Sequence, residues 1–494
     1  MPFGMRARVF AAAAHFVSRR WNLFLGVSAG VLLPCFWHAH IEAGDLGSHV
    51  YNAWLAELVR HGQLPGLWIV RQWNNVAFDL LLTSLHGAFG WIWAEKLAVS
   101  ICVLIFFWGA FALVSAAARR APLYLIPLIV ILSYGWTFQQ GFINYYLSLG
   151  LSFFALAILW RGQGRERIAA LVLLPLIILA HPLGVFWLTG ACAYTIFAER
   201  FRRYRVLVFA TATLCVGFTG LYLQRHFQLL EAHHARYLYN GVDQMVLFSG
   251  TYEILALVIS ALVVATLVHE AVKRRQDQGF RETALVLVQL YLVLQCLVLV
   301  LPYGILLPEF RAPLSFLPHR LTTLSAVLIC ALLGLVRPRK WHLAVFTVAA
   351  VPFFALLYRD TGIINNMEAQ SERLIATLPP GQRVLFTIKD RGMRLFIAHF
   401  ADRSCIEHCF SYGNYEPSTQ QFRVRAAPGN GVVMTDYSAV EQMEDGEYVV
   451  RRNDPPVYEI YQCGARGRVL CGRPLYPGEK NNLPSPEESP FASR

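Results

Sequence analysis

The stretch VAFDLLLTSLHGAFGWIW, Val76 to Trp93, decides how the chain is threaded. It is apolar enough for a short membrane span, yet it carries Asp79 near its start. A carboxylate facing lipid at mid-bilayer is costly, whereas one at the interface is not. The arginines around it choose between the two readings. If Val76 to Trp93 does not cross, then Arg119 and Arg120, the RGQGRER loop (Arg161, Arg165, Arg167), the ERFRRYR loop (Arg200 to Arg205), Lys273 to Arg275 and RPRK (Arg337 to Lys340) all fall on the side of the N-terminus. If it does cross, every one of these clusters changes side. The segment is therefore expected to lie at the membrane surface.

Composition supports a membrane setting for the whole chain. Of 494 residues 56% are hydrophobic and 15% charged, the mean hydropathy is +0.44, and apolar runs of roughly twenty residues recur from Trp21 to Tyr358. The first run follows Arg6, Arg8, Arg19 and Arg20 like a signal peptide, but it is long and lacks a small-residue cleavage site, so a retained anchor is expected. The net charge of +12 sits in short loops and reports topology rather than a nucleic-acid partner. The expected fold class is mainly α: a polytopic bundle of about eleven spans, near 21–40, 94–118, 122–138, 142–160, 167–181, 183–199, 205–223, 250–272, 281–301, 318–336 and 341–358. With the N-terminus inside, an odd span count leaves the C-terminal part outside. One face then collects the 41–93 segment, the FQQGFINYY turn around Gly141, the loop from Gln224 to Phe248 and the loop from Pro302 to Pro318.

The bundle domain covers residues 1–360, followed by an extracytoplasmic α/β domain over 361–473 and a disordered tail over 474–494. A helix-like stretch to about Leu378 leads through PPGQ into the strand RVLFTI, and NGVVMTDY, EYVVRR and VYEIYQC also alternate like strands. Cys405, Cys409, Cys463 and Cys471 lie in this domain, where disulfides can form. Their spacings lack the paired form of a zinc site, so disulfides are expected and their pairing is open. Tyr412, Tyr415 and Phe422 beside Asn414, Gln420 and Arg423 suit carbohydrate contact as well as ordinary packing.

The first external loop continues as GDLGSHVYNAWLAELVRHG, Gly44 to Gly62. On a helix from Leu46, Asp45, His49, Asn52 and Ala56 share a face that would present an acid to an aqueous cavity. The competing reading is that Asp45 merely caps the helix.

An acid just outside the first span, a juxtamembrane helix, a G-x-x-P turn (Gly62 to Pro65), a second surface helix and a span ending in arginines together resemble the GT-C superfamily of membrane glycosyltransferases. The likeness covers roughly the first 200 residues, including GFINYYLSLGL and AHPLG, and extends to related bacterial membrane proteins in which GD-x-x-x-H follows the first span. It implies a bacterial inner-membrane enzyme. Such an enzyme would move a sugar, with inversion, from a polyprenyl-phosphate donor to a glycan, lipid or protein acceptor. Asp45 would be the general base, with His49 orienting it or substituting for it. The departing lipid phosphate needs a cation, for which Arg320 in LPHRL is the first choice, with His319, Arg311 and Arg236 behind it. Gln139, Gln140, Asn144 and His181 would line the cavity. Many superfamily members carry two adjacent acids, whereas Leu46 follows Asp45 and Glu42 is the only near companion. A divalent metal therefore finds no acid pair, and no cofactor is assigned. The competing functions are an envelope-assembly scaffold and a transporter. The transporter would call for an internal repeat, which is not found.

Overall fold

The computed structural model describes residues 21–231, 239–389, 395, 397–464 and 467–481. Arg236, the arginines before Trp21 and the tail from 482 lie outside the described residues. The fold is a helical bundle with a small mixed domain on one end. After a short apolar helix, Trp21–Leu32, come α1 (Leu46–Arg60), α2 (Ala77–Ala118), α3 (Ile143–Arg161), α4 (Arg205–His226), α5 (Gly250–Lys273), α6 (Gln278–Val300), α7 (Leu317–Gly334) and α8 (Lys340–Ile375). The polar domain adds α9 (Tyr415–Thr419) and α10 (Tyr437–Glu444).

Among the described residues seven helices, α2 to α8, are long and apolar enough to cross a membrane. The other four expected spans are shorter, interrupted or less apolar: residues 21–35 and 123–139 form short helical pieces, 165–180 is broken between Leu171 and Leu173, and Pro182–Arg200 is a 19-residue helix. The 42 residues of α2 would reach about 63 Å if straight, twice a bilayer core. The helix breaks at Gly90, whose φ of 73° is open to glycine and strained for other residues. Val76 to Gly90 is thus separated from the long apolar part, and Asp79 is buried in protein rather than turned to lipid.

Burial sorts the long helices. Only 6% of the apolar window of α4 is buried, against 83% for α7. Val206, Leu207, Leu214 and Phe218 stand exposed on α4, which is stable only in an apolar surrounding. α7 runs through the middle with Thr322, Thr323 and Ser325 fully packed.

The basic clusters gather at one end, where Arg120 donates to Gly334 O (3.1 Å), Arg161 to Ala116 O (3.1 Å) and Arg274 to Leu335 O (2.8 Å). The four loop features gather at the other. There β1 (Leu67–Ile69) awaits a partner from the polar domain, and β2 (Gln228–Leu230) pairs with β3 (Gly304–Leu306). The domain holds a sheet of β4 (Arg383–Thr387), β5 (Phe410–Ser411), β7 (Val457–Cys463) and β8 (Val469–Leu475) in the order β5-β4-β7-β8, parallel except for β7 with β8. Its β6 (Val424–Ala426) leaves that sheet and pairs antiparallel with β1. Disulfides join Cys405 to Cys409 and Cys463 to Cys471.

Two expectations fail here. NGVVMTDY is not a strand, because Asn430 Oδ1 accepts from Val432 N and Val433 N (2.7 and 2.9 Å) and bends the chain into a turn. EYVVRR contributes only one bridge, Val449 with Lys480. That bridge also corrects the boundary of the tail: Pro474 and Leu475 belong to β8, and Asn481 is buried and bonded to Tyr448, Thr387 and Met443.

One buried cation ties the domain to the bundle. Arg403 meets both oxygens of Glu368 (2.6 Å each), Glu42 (3.1 Å), Glu95 (3.1 Å) and Ile41 O (3.0 Å). Burial and the neighbouring Glu368 carboxylate push the Glu42 carboxyl well above the usual range, against the opposing pull of Arg403. Removing one partner from such a cluster strands charge in the interior. Arg403→Met is accordingly expected to cost about 3–5 kcal/mol, read as a lowered unfolding midpoint of the detergent-solubilised protein, with Arg403→Lys recovering only part of the loss.

Candidate active site

The first turn of α1 is built by close backbone contact. Gly44 N donates to Gln139 O (2.9 Å) and Asp45 N to Gln140 O (3.1 Å). A Cβ on Gly141, itself at φ +83°, would lie 2.3 Å from Asp45 N. On the other side, a Cβ on Gly47 would lie 2.6 Å from both His399 O and Phe400 O. Asp45 is thus gripped by its backbone between the Gly141 turn and the polar domain. Its side chain is not: the carboxylate makes no capping hydrogen bond, is half-buried, and has no hydrogen bond or ion pair among the described residues. The capping reading of Asp45 does not describe this geometry. Burial pushes its carboxyl up to about 6, against the opposing pull of His49 and Arg320.

One turn further, His49 Nδ1 lies 3.4 Å from Asp79 Oδ1 and 3.6 Å from Glu416 Oε1, all three side chains buried. Asp79 is held by Asn144 Nδ2 (3.1 Å), whose oxygen accepts from Phe78 N (2.9 Å). Ser48 Oγ donates to Glu416 (3.4 Å). Burial alone would lower the imidazole's pKa, but the carboxylates of Asp79 and Glu416 outweigh it and hold His49 up at about 9. Burial pushes the Glu416 carboxyl up to about 8. At neutral pH His49 is therefore a cation.

Arg320 occupies the first turn of α7 and is 9% exposed. Its Nε donates to Ser315 O (3.2 Å), and its guanidinium lies 3.6 Å over the ring of Phe142, the residue after Gly141. No carboxylate among the described residues comes within ion-pair distance. Asp45 and Arg320 nonetheless influence each other's charge. An acid and a base that lack a countercharge among the described residues therefore stand on either side of the turn from Gln140 to Phe142.

The other expected site residues divide. Gln139 and Gln140 enter through their carbonyls, and Asn144 through Asp79. His181 instead caps Pro182–Arg200, its Nδ1 accepting from Leu183 N (3.2 Å). His319 packs among the rings of Trp136 (4.9 Å) and Tyr239 (4.2 Å). Arg311 is exposed and donates to Thr435 O (3.2 Å), which fastens the domain rather than serving the site. Glu42 belongs to the Arg403 cluster. Asn52 faces no aqueous cavity: it exchanges hydrogen bonds with Asn414 (3.1 and 2.8 Å), so the polar face of α1 is a docking face.

The sequence reading missed Glu416, Asp402 and Glu444 as site residues and placed Asp79 only at the interface. Only Glu416 carried a local signal, as an acid within the aromatic run from Tyr412 to Phe422. A group spaced to hold a metal, His40, Glu368 and Glu372, has its ligand atoms within 4.8 Å of one another, but both Glu368 oxygens are engaged by Arg403. A cleft between α5 and α8, lined by Glu270, Arg339 and Trp341, lies at the arginine-rich end and touches none of these groups.

Comparison with known protein families, with characterised proteins and with solved structures finds no match.

Two substitutions separate the roles of neighbouring side chains. Asp45 has a folded pKa near 6, above the unfolded value of about 3.9, so its ionised form costs stability above pH 6. Asp45→Asn is expected to stabilise at pH 7.5 by on the order of 1–3 kcal/mol, a gain that fades as pH falls through about 6 and is gone near 4. His49→Ala is expected to destabilise by about 3–5 kcal/mol, because it leaves the buried Asp79 carboxylate without its cation. Thermal unfolding of both variants across that pH range checks the signs.

Proposed function

We propose that the protein is an inverting membrane glycosyltransferase that moves a sugar from a polyprenyl-phosphate donor to an acceptor hydroxyl. The reaction takes place on the membrane face carrying the C-terminal domain, which the positive-inside rule makes the extracytoplasmic one, since the arginine-rich ends lie opposite. One observation carries the reading. Asp45 and Arg320, of opposite charge, flank the turn from Gln140 to Phe142, one tied to it through its backbone N–H and the other stacked on Phe142, and make no ion pair with each other. Buried charges normally pair, and two that do not are the groups a charged substrate would engage.

The chemistry follows from these groups. An acceptor hydroxyl is a weak nucleophile near neutral pH, and Asp45, ionised above about pH 6, takes its proton. The freed oxygen attacks the anomeric carbon from the face opposite the phosphate. As that C–O bond forms, the bond to the phosphate oxygen breaks and its electron pair leaves with the lipid phosphate. Arg320, which has no carboxylate at ion-pair distance among the described residues, stabilises the growing charge. His49 stays protonated between Asp79 and Glu416, so its role is to lower the pKa of Asp45 rather than to act as base.

The test is transfer from a panel of radiolabelled polyprenyl-phosphate sugars by membranes carrying matched amounts of wild type, Asp45→Asn and Arg320→Met. Asp45→Asn is expected to lower turnover by about 10²- to 10⁴-fold, and the wild-type rate to fall below about pH 6 as the base becomes protonated. Equal turnover by wild type and Asp45→Asn would remove Asp45 from the chemistry.

A further inference from the structure

The C-terminal domain brings a second set of polar groups to the same place. Asn414 is locked to Asn52 and Glu416 lies against His49, which fixes Tyr415 between them. The Tyr415 hydroxyl is sealed from solvent and has no hydrogen-bond partner among the described residues. Its ring tilts over His399 at 4.3 Å and meets Phe422 edge-on at 5.5 Å. His399 is bracketed by Asp402 (3.7 Å) and Glu444 (3.6 Å). Ser411 occupies one oxygen of Asp402 (2.6 Å), and the other, Oδ2, is buried with no hydrogen-bond partner among the described residues. Asp402 feels the charge of Asp45, Glu444 feels Asp45 and Asp402, and Tyr415 feels all three. Within this group the Tyr415 hydroxyl and Asp402 Oδ2 are left without a hydrogen bond among the described residues.

We propose that Asp402, Glu444 and Tyr415 form the acceptor subsite, and that the acceptor is a sugar or glycan whose hydroxyl groups bridge these residues and present one hydroxyl to Asp45. The inference rests on the transferase reading and adds the substrate class to it. Two aromatic rings beside carboxyl groups match the apolar face and the hydroxyl rim of a sugar ring. Burial pushes Asp402 up to about 7 and Glu444 up to about 8, so near neutrality these groups both donate and accept hydrogen bonds. Burial also pushes His399 down to about 3, leaving a neutral imidazole with one donor and one acceptor nitrogen. A polyol offers the same mixture. A metal ion or an amine would need the carboxyls ionised, and an apolar acceptor would leave them stranded.

The experiment uses the purified full-length protein in phospholipid nanodiscs, with Glu444→Gln and Tyr415→Phe, both near-isosteric. The thermal midpoint is followed while titrating a panel of oligosaccharides and, separately, Mg²⁺ and Mn²⁺. Saccharide binding to wild type, weakened about tenfold or more in both variants, is the expected result. Where transfer is measurable, the variants should raise the acceptor KM by about tenfold with kcat changed by less than about threefold. Saccharide binding that is equal in wild type and variants would overturn the subsite, as would a response to the cations and to no saccharide, or no response at all. Saccharide binding that depends on Glu444 in a protein that turns over no donor would keep the subsite and remove the transferase reading alone.

Discussion

Arg403 is the constraint on which the rest depends. A guanidinium buried among Glu42, Glu95 and Glu368 joins the first loop, the long broken helix α2, the last bundle helix α8 and the polar domain at one point. Its contact with Ile41 O and Glu42 fixes the chain just before Asp45, so the start of α1 is set by the domain as much as by the bundle. An apolar cluster of similar volume would be as stable or more so. What an ion cluster adds is register, because a guanidinium fork meets its carboxylates in few geometries.

Register matters here because α1 is wedged between two backbones. Gly141 on one side and Gly47 on the other have no room for a Cβ, and the surfaces they admit come from distant parts of the chain: the turn before α3, and residues 399 and 400. Asp45 and His49 therefore cannot shift without moving both neighbours. The polar side of α1 is spent on this docking through Asn52 and Ser48, which is why the domain can deliver Glu416 to His49 and Tyr415 to the space beside them. The site is shared between bundle and domain, and neither half holds it alone.

Much of the bundle was legible in the sequence because hydropathy and arginine placement are local signals with a direct physical cause. Asp79 argued against a span at Val76 to Trp93, and the break at Gly90 sets that segment apart from the long apolar helix. The site was legible only at Asp45, His49 and Arg320, residues whose chemistry stands out at the ends of apolar runs. Asp79, Glu416, Asp402 and Glu444 come from segments far apart in the chain, and periodicity carries no signal about such meetings. The same gap explains the face of α1: an amphipathic pattern shows that one side is polar, but not whether water or another polar surface covers it. NGVVMTDY failed for a related reason, since alternation predicts a strand while a single Asn side chain bends the backbone into a turn.

The distribution of satisfied and unsatisfied charge gives the site its meaning. Other buried charges in the molecule are grouped: Arg403 meets three carboxyl groups, His49 lies between two, and Asp79 has Asn144 as well. A chain able to arrange those clusters does not lack the means to pair Asp45 with Arg320. It holds them apart with a rigid turn whose glycine fixes one and whose following ring, Phe142, carries the other. Strain and unmet polar groups of this kind cost stability and persist where function uses them. At this end of the bundle the Tyr415 hydroxyl and Asp402 Oδ2 are also buried with no hydrogen bond among the described residues, so the cost of unmet polar groups falls beside Asp45 and Arg320.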